Sequence, residues 1–225
     1  MANTMKLQRD IVVQTALDLL NEVGVDGLTT RRLAERLGVQ QPALYWHFKN
    51  KRALLDAMAE AMLVGRHPHS LPGLAEPWRT FLARNARSFR QALLAYRDGA
   101  RIHAGTRPSG SQSSRVAEAQ IRFLHDAGFS LTDAAYALIA ISHYTVGAVL
   151  EQQAYAGDAR DRLDAGEGAR LPPLLDELLA HFHSAGPEAA FDYGLGVILD
   201  GLEGKCTPPH RRSRRVTPVR PRSRA

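Results

Sequence analysis

Cysteine is almost absent from the sequence, and its scarcity excludes several kinds of protein. Cys206 is the only cysteine among the 225 residues, so the chain can form neither an internal disulfide framework nor a cysteine-based zinc site. The N-terminus also lacks the apolar core of a signal peptide, because Lys6, Arg9 and Asp10 precede the first apolar stripe. We therefore expect a protein of the reducing cytoplasm.

Long hydrophobic runs are also lacking. The most apolar stretch, residues 134–150, is interrupted by Ser142, His143 and Thr145. It falls short of the ~20 apolar residues that a helix needs to span a bilayer. The sequence therefore predicts a buried helix at this position and no association with a membrane.

Acidic residues are missing from the C-terminal end. Residues 205–225, the basic tail, contain eight basic residues and no acidic one, and subtracting these eight charges from the formal total of +6 leaves −2 on residues 1–204. The body of the chain is thus not a general binder of polyanions, and any contact with DNA must be concentrated on the N-terminal helices. Prolines among the arginines predict that the basic tail is disordered.

One stretch, residues 29–48, has the spacing of a helix-turn-helix. Gly38 can adopt the positive φ of a tight turn, and Leu44 packs the second helix back onto the first. Thr29 or Thr30 can cap the first helix. The motif predicts a small DNA-binding domain.

The second helix of this motif would present a surface that fits a DNA major groove. Gln41 can pair bidentately with an adenine edge, and Ala43 can touch a thymine methyl group. Tyr45 and Lys51 can reach phosphates. The candidate DNA-binding residues are Thr30, Arg31, Gln41, Pro42, Ala43, Tyr45, Trp46, His47 and Lys51. An ordinary helical hairpin with a polar face is the alternative.

The rest of the chain shows helical periodicity, with neither a strand pattern nor an internal repeat. The predicted helices are a first one ended by Gly24, the helix-turn-helix pair, and helices at 51–66, 78–94, 98–103, 116–127, 132–155, 172–184 and 187–202, with loops at 109–114 and 156–170. The predicted fold class is all-α. The predicted domains are a three-helix DNA-binding domain at 1–50, a connecting helix at 51–67, a larger helical core at 68–204, and the basic tail.

The last predicted helix is apolar over more of its surface than a position on the outside of one chain requires. Its apolar residues include Phe191, Leu195, Ile198 and Leu202, with Ala190, Gly194, Val197 and Gly201 beside them. Together with helix 132–155 it predicts a four-helix bundle made by two such pairs across a two-fold axis. A buried core within one chain is the alternative.

Four segments resemble a known family. Residues 28–34 (LTTRRLA) and 41–52 (QPALYWHFKNKR) look like the DNA-binding domain of TetR-family repressors. Residues 96–108 and 142–153 resemble the regulatory core of the tetracycline-responsive members of that family, and the similarity covers about residues 6–203. The resemblance implies a cytoplasmic homodimer that binds a palindromic operator, represses a tetracycline efflux gene, and leaves the operator when a tetracycline–Mg²⁺ complex binds.

The resemblance also implies the residues of a ligand pocket, so that the 68–204 core becomes a ligand-binding and dimerisation core. His67, Asn85, Phe89 and Gln120 would hold the polar end of the drug. His103 would be the single protein ligand of Mg²⁺, with Thr106 and Glu151 holding metal-bound waters. The remaining lining residues would be Arg107, Pro108, Leu138, His143, Leu175, Leu179 and Phe182.

Other interpretations of these residues remain open on the sequence. Taken singly, His103 is interpreted as an ordinary helix-end residue, Glu151 as an exposed acid and Asn85 as a surface amide. A hydrolytic enzyme is a competing class, although the sequence contains no H-E-x-x-H, no nucleophile elbow and no P-loop. A TetR-type repressor that responds to a different drug or metabolite is the other alternative.

Overall fold

The computed structural model describes residues 7–104, 106, 111–162 and 172–207. The elements are α1 (Arg9–Gly27), α2 (Thr30–Leu37), a 3₁₀ helix (Gln41–Trp46), α3 (Lys51–Arg66), α4 (Trp78–Leu94), α5 (Gly99–His103), α6 (Ser111–Ala127), α7 (Leu131–Arg162) and α8 (Pro173–Glu203). The described part of the chain contains no strand, so the all-α prediction is confirmed. The predictions for Arg107, Pro108 and nearly all of the basic tail lie outside the described residues.

The helix-turn-helix forms as its residue spacing predicts. Thr29 caps α2 by accepting a hydrogen bond from the backbone nitrogen of Arg32 at 3.2 Å. Gly38 follows α2 with a φ of 67°, a conformation that favours glycine. Leu44 is buried in one apolar cluster with Ala34, and this contact fixes the angle between the two halves of the motif.

The second half of the motif is the short helix that the sequence predicts, and it has the 3₁₀ form. Its hydrogen bonds join residues three apart, since Ala43 N donates to Gln40 O at 2.9 Å and His47 N donates to Leu44 O at 3.0 Å. The element has only six residues and begins with a proline in its first turn. Short 3₁₀ segments of this kind are common as connectors between helices.

Two apolar clusters hold the chain together, and α4 and α7 contribute to both. The first contains, among others, Leu17, Leu20, Leu33, Leu44, Phe48, Met58, Met62, Phe89, Leu93, Ile102 and Val149. The second contains, among others, Phe81, Leu82, Leu124, Phe129, Ile141, Phe191 and Leu195. The first cluster runs from the helix-turn-helix through α3 into α4 and α5 without interruption. The DNA-binding helices are therefore packed directly against the C-terminal part of the chain.

Two helix boundaries differ from the predictions, and a third feature agrees with them. Residues 111–114, expected in a loop, form the first turn of α6, which begins at Ser111 and not at 116. α7 continues to Arg162, through residues 156–162 of the expected 156–170 loop. α8 is broken by the non-helical Gly186, with φ of 75° and ψ of 170°, which agrees with the predicted interruption between two helices.

α7 buries one face and exposes the other. The segment Leu131–Tyr155, of 25 residues with an 18-residue window of mean hydropathy 1.3, is long and apolar enough to cross a membrane by length and composition, so the expectation that it is too short was wrong. Ala134, Ala137, Ile141 and Val149 are nevertheless buried at helical spacing. This face packs against the rest of the protein, as expected of a core helix.

α8 also packs through one face only. Phe191, Leu195 and Leu199 are buried, whereas Val197 is 56% exposed. A Cβ at Gly194 would overlap the hydroxyl of Tyr144 in α7. The small residue at position 194 therefore lets α7 of the same chain approach α8 closely.

Candidate functional site

The outer face of the helix-turn-helix exposes polar and aromatic side chains together. Trp46 is 89% exposed and Tyr45 is 51% exposed, which is uncommon for large aromatic side chains in a folded protein. Gln41 lies in the same 3₁₀ helix, and its Nε2 donates to Oγ1 of Thr30 at 2.9 Å. This bond joins the start of the 3₁₀ helix to the start of α2 and fixes the Gln41 amide at the surface.

The other predicted DNA-binding residues are partly or fully exposed: Arg31, Pro42 and Lys51 are exposed, and Ala43 and His47 are half-buried. Arg31 pairs with Glu35 at 3.0 Å on the surface, a contact weak enough to exchange for a phosphate. Asn50 caps α3 by accepting from the Ala53 backbone nitrogen at 2.9 Å, which places Lys51 in the first turn. The face can therefore offer a base-reading amide flanked by cations.

A cavity of about 380 Å³ lies among α3, α4, α5, α6 and α7. Six of the residues predicted for the pocket line it, namely His67, Asn85, Phe89, His103, Gln120 and Leu138. An apolar wall with a few polar groups is the usual composition of a small-molecule site. We refer to it below as the ligand cavity.

Two amide side chains join the wall of the ligand cavity to the loop that follows α3. Nδ2 of Asn85, in α4, donates to the carbonyl oxygen of His69 at 3.1 Å. Nε2 of Gln120, in α6, donates to the carbonyl oxygen of Ser70 at 2.6 Å. Both amides are thus held at the cavity by neutral hydrogen bonds, which a ligand with polar groups can replace at little net cost.

Two histidines and a phenylalanine form a row along the ligand cavity. The ring centroids of His67 and Phe89 are 5.8 Å apart, and those of Phe89 and His103 are 5.0 Å apart. Burial, with a smaller contribution from the charge of His69, lowers the pKa of His67 to about 4. Burial also lowers the pKa of His103. Both imidazoles are therefore neutral near pH 7.

His103 has, in addition, an unsatisfied ring nitrogen. Its Nδ1 is buried and has no hydrogen-bond partner among the described residues, although buried polar atoms normally have one. Thr106 lies beside it, and the Thr106 hydroxyl donates to the carbonyl oxygen of His103 at 2.7 Å. A neutral imidazole is a good metal ligand. The described residues contain no group of three or more His, Cys, Asp or Glu side chains that could hold a metal ion, so an ion at His103 would take its other ligands from water or a bound molecule.

Five other predicted pocket residues that the structure describes do not line the ligand cavity of the same chain. Glu151, Leu179 and Phe182 line a second cavity of about 660 Å³ between α7 and α8. His143 and Leu175 are exposed and line neither cavity. One chain by itself therefore brings together only part of the predicted pocket.

Sequence reasoning predicted Gln120 for the pocket but missed the other residues that α6 contributes. Gln112, Ser113, Val116 and Ala117 line the ligand cavity together with Gln120. Their separations of three and four residues place them on one face of a helix. This spacing is present in the sequence. It does not place Gln112 and Ser113 on the face of a helix as long as residues 109–114 are predicted to form a loop.

The N-terminal end of α5 contacts the DNA-binding helices directly. Oδ2 of Asp98 accepts a hydrogen bond from the backbone nitrogen of Val25 at 2.9 Å, just after the break in α1 at Gly24. Arg101 pairs with Asp26 at 2.9 Å. α5 thus touches α1 near one end and the ligand cavity at the other.

Known proteins match both halves of the chain. Residues 12–58 match the bacterial regulatory proteins of the tetR family, and residues 71–206 match the tetracyclin repressor-like C-terminal domain. The chain is 66% identical over 197 residues to the tetracycline repressor protein class A from transposon 1721 of Escherichia coli, a match that covers 88% of this chain and 91% of that protein.

Solved structures of similar sequence share the fold. A class A TetR in complex with 5a,6-anhydrotetracycline and magnesium is 58% identical, with a TM-score of 0.70, and the match covers 88% of this chain and 99% of that chain. A variant of TetR from Acinetobacter baumannii AYE in complex with minocycline is 54% identical, with a TM-score of 0.75 and coverage of 90% and 99%. The chain therefore belongs to the tetR family of bacterial regulatory proteins and carries a tetracyclin repressor-like C-terminal domain.

Proposed function

We propose that this protein is a cytoplasmic transcriptional repressor that binds a palindromic operator as a homodimer and leaves it when a tetracycline–Mg²⁺ complex binds. The main support is the neutral His103, with its unpartnered ring nitrogen, in the wall of a cavity that also offers amides and an aromatic ring. The relative that is 66% identical is a tetracycline repressor. By the same likeness, the controlled gene is one for tetracycline efflux, and the chain is a regulator and not an enzyme.

The residues of the ligand cavity suit a magnesium ion that enters together with the drug. Mg²⁺ keeps several waters and needs few protein ligands, so His103 is sufficient as the only one. The bound ion would supply a positive charge that draws the drug oxygens towards the imidazole. Thr106 would hold a metal-bound water from its place beside His103. Asn85 and Gln120 would exchange their bonds to loop carbonyls for bonds to the drug.

The second subunit would complete the pocket. Glu151 of the partner subunit would hold another metal-bound water, and the partner's Leu175, Leu179 and Phe182 would close the apolar side. Two features support this division. In one chain these side chains lie away from the ligand cavity, and α7 and α8 expose large apolar side chains such as Tyr136, at 66%, that a two-fold bundle would cover.

α5 would carry the response from the ligand cavity to the DNA. Its last residue, His103, lines the cavity, while Asp98 and Arg101 hold α1. Ile102 lies in the same apolar cluster as Met62 of α3. A shift of α5 therefore reaches both helices and would alter the spacing of the two DNA-binding faces of a dimer. The ligand can cause this shift only by binding the arrangement that does not fit the operator more tightly than the arrangement that does.

The proposal is tested by operator release. The full chain is bound to a palindromic operator selected from random DNA, and fluorescence anisotropy follows the complex during titration with tetracycline, in excess Mg²⁺ or in EDTA. We expect release with Mg²⁺ and little release in EDTA. A complex that survives saturating tetracycline and Mg²⁺ would mean that the ligand cavity serves a different drug or metabolite. Equal release in EDTA would disprove the role of the metal.

The DNA-binding face is tested by two substitutions with different expected signatures. Gln41→Ala should cost on the order of 1–3 kcal/mol on operator DNA and relax the preference at one base position. Lys51→Ala should weaken binding to operator and random DNA alike and reduce the salt dependence by about one counterion. Thr30→Val is a useful companion, because it removes the hydroxyl that holds the Gln41 amide. If both main variants lower operator and random binding equally, the assignment of Gln41 to base reading is wrong.

A further inference from the structure

Gln153 of α7 makes three hydrogen bonds to the backbone of a single corner. Its Nε2 donates to the carbonyl oxygens of Tyr96 at 2.9 Å and Leu93 at 3.4 Å. Its Oε1 accepts from the backbone nitrogen of Ala100 at 3.2 Å. Residues 93–100, which we call the α4–α5 corner, include the end of α4 and the start of α5. Helix ends leave such groups free for partners outside the helix. Two of the three also have a partner within the corner, since Gly99 N donates to Tyr96 O at 3.0 Å and Tyr96 N donates to Leu93 O at 3.4 Å. The amide of Gln153 adds the bonds that join all three groups to α7.

The α4–α5 corner has little room for adjustment towards α3 and α4. A Cβ at Gly99 would overlap the carbonyl oxygen of Leu93 and lie 3.0 Å from Cε of Met62 in α3. Asp98 has a φ of 56°, a left-handed conformation that few residues other than glycine adopt. Packing therefore fixes the corner against α3 and α4, and Gln153 supplies its polar connection to α7.

The opposite side of the α4–α5 corner holds α1. The backbone nitrogen of Arg97 donates to Oδ1 of Asn21 at 2.9 Å, and the Arg97 guanidinium donates to the carbonyl oxygen of Glu22 at 2.9 Å. Oδ2 of Asp98 accepts from the backbone nitrogen of Val25 at 2.9 Å. The corner is thus held between the DNA-binding domain and the amide of Gln153.

From this arrangement we infer that Gln153 is a positioning residue that braces the α4–α5 corner against α7, so that a shift of α5 on ligand binding moves α1 and is not absorbed at the corner. The ligand-dependent part of this inference rests on the proposed function. Without the amide, the corner can yield towards α7 when α5 shifts, because the other hydrogen bonds of Tyr96 O and Leu93 O lie within the corner and do not reach α7. Ligand then binds, but the movement of α1 is smaller.

The test is Gln153→Glu, which keeps the shape of the side chain. The carboxylate can still accept from Ala100 N, but its second oxygen faces the carbonyl oxygens of Tyr96 and Leu93 and has no proton to donate. The quantity measured is the ratio of the operator Kd with saturating tetracycline and Mg²⁺ to the operator Kd without them. We expect this ratio to fall by roughly tenfold, while the ligand-free operator Kd changes by less than about threefold.

The matched control is Gln91→Glu, the same change at an exposed position of α4. It should leave the ratio as in the parent protein. Thermal unfolding of both variants is also recorded. If Gln153 merely stabilises the fold, its substitution should lower the Tm and leave the ratio unchanged. That result would overturn the inference, and so would an equal loss of the ratio in both variants.

A second measurement needs no ligand and separates this inference from the proposed function. Amide hydrogen exchange is compared at Ala100, which Gln153 contacts, and at Val25 in α1, which it does not. We expect faster exchange at both sites in Gln153→Glu and at neither in Gln91→Glu. Faster exchange at Ala100 alone would show that the corner does not govern α1, and the inference would fail. If the parent is not released by tetracycline and Mg²⁺, the proposed function fails and the exchange result still decides the role of Gln153.

Discussion

Replacing His103 with alanine should leave operator binding intact and raise the tetracycline concentration needed for release by about a hundredfold or more. Loss of a residue that only supports a metal ligand typically weakens the site tenfold to a hundredfold, and His103 is here the only proposed protein ligand. The alanine also removes the ring that packs edge-on against Phe89 at 5.0 Å. The DNA-binding face is distant in the fold, so operator affinity without drug should remain that of the parent.

Operator release in excess Mg²⁺ and direct binding of tetracycline measure the effect of His103→Ala. Chelation of Mg²⁺ in the unsubstituted protein should reproduce the defect. Glu151→Gln is a second variant for comparison. Because Glu151 is proposed to act through a metal-bound water, this variant should lose less of its sensitivity to tetracycline than His103→Ala. If His103→Ala is released as readily as the parent, the metal-dependent mechanism is wrong, even though the ligand cavity would remain.

The helix-turn-helix could be predicted from the sequence because its determinants are local. Thr29, Gly38 and Leu44 act on neighbours within about fifteen residues, and each has a strong physical preference for its position. The 3₁₀ form of the second helix escaped prediction. Its residues satisfy the same spacing rules, and only the hydrogen bonds between residues three apart distinguish the two forms.

The pocket could be predicted only in part, since its residues come from separate helices. His67, Phe89 and His103 are brought into a row by three different elements, and only their joint resemblance to a family identified them. Glu151 and Phe182 lie around another cavity of the same chain. No periodicity within one sequence shows which residues a second copy would supply.

Polar contacts between residues far apart in the sequence also could not be predicted. Gln153 is separated from Ala100 by 53 residues and from Leu93 by 60, and a glutamine that follows Glu151 and Gln152 is ordinarily interpreted as part of a solvated helix face. What gives it a structural role is the tight corner that it meets. That corner in turn depends on Gly99, whose importance follows from its neighbours and not from its own conformational preference.

Gly99→Ala should therefore be strongly destabilising, although it adds a single methyl group. The new Cβ would overlap the carbonyl oxygen of Leu93, a backbone atom of α4 that cannot rotate away as a flexible side chain could. Met62 of α3 limits movement on another side, at 3.0 Å. Overpacking of this kind costs about 3 kcal/mol in the free energy of unfolding when the surrounding backbone must shift. A displaced corner should also loosen α1, since Asp98 precedes Gly99 and holds Val25.

Urea unfolding at equal protein concentration measures this cost, because the stability of a dimer depends on concentration. Gly65→Ala is the matched control: Gly65 lies in α3, and a Cβ there meets nothing within 4 Å. Alanine favours helix over glycine, so this control should be as stable as the parent or gain up to about 0.5 kcal/mol. The contrast isolates the steric effect, because both variants make the same chemical change on a helical glycine. If Gly99→Ala unfolds at the same urea concentration as Gly65→Ala, the α4–α5 corner can relax, and it cannot act as a rigid link between the ligand cavity and α1.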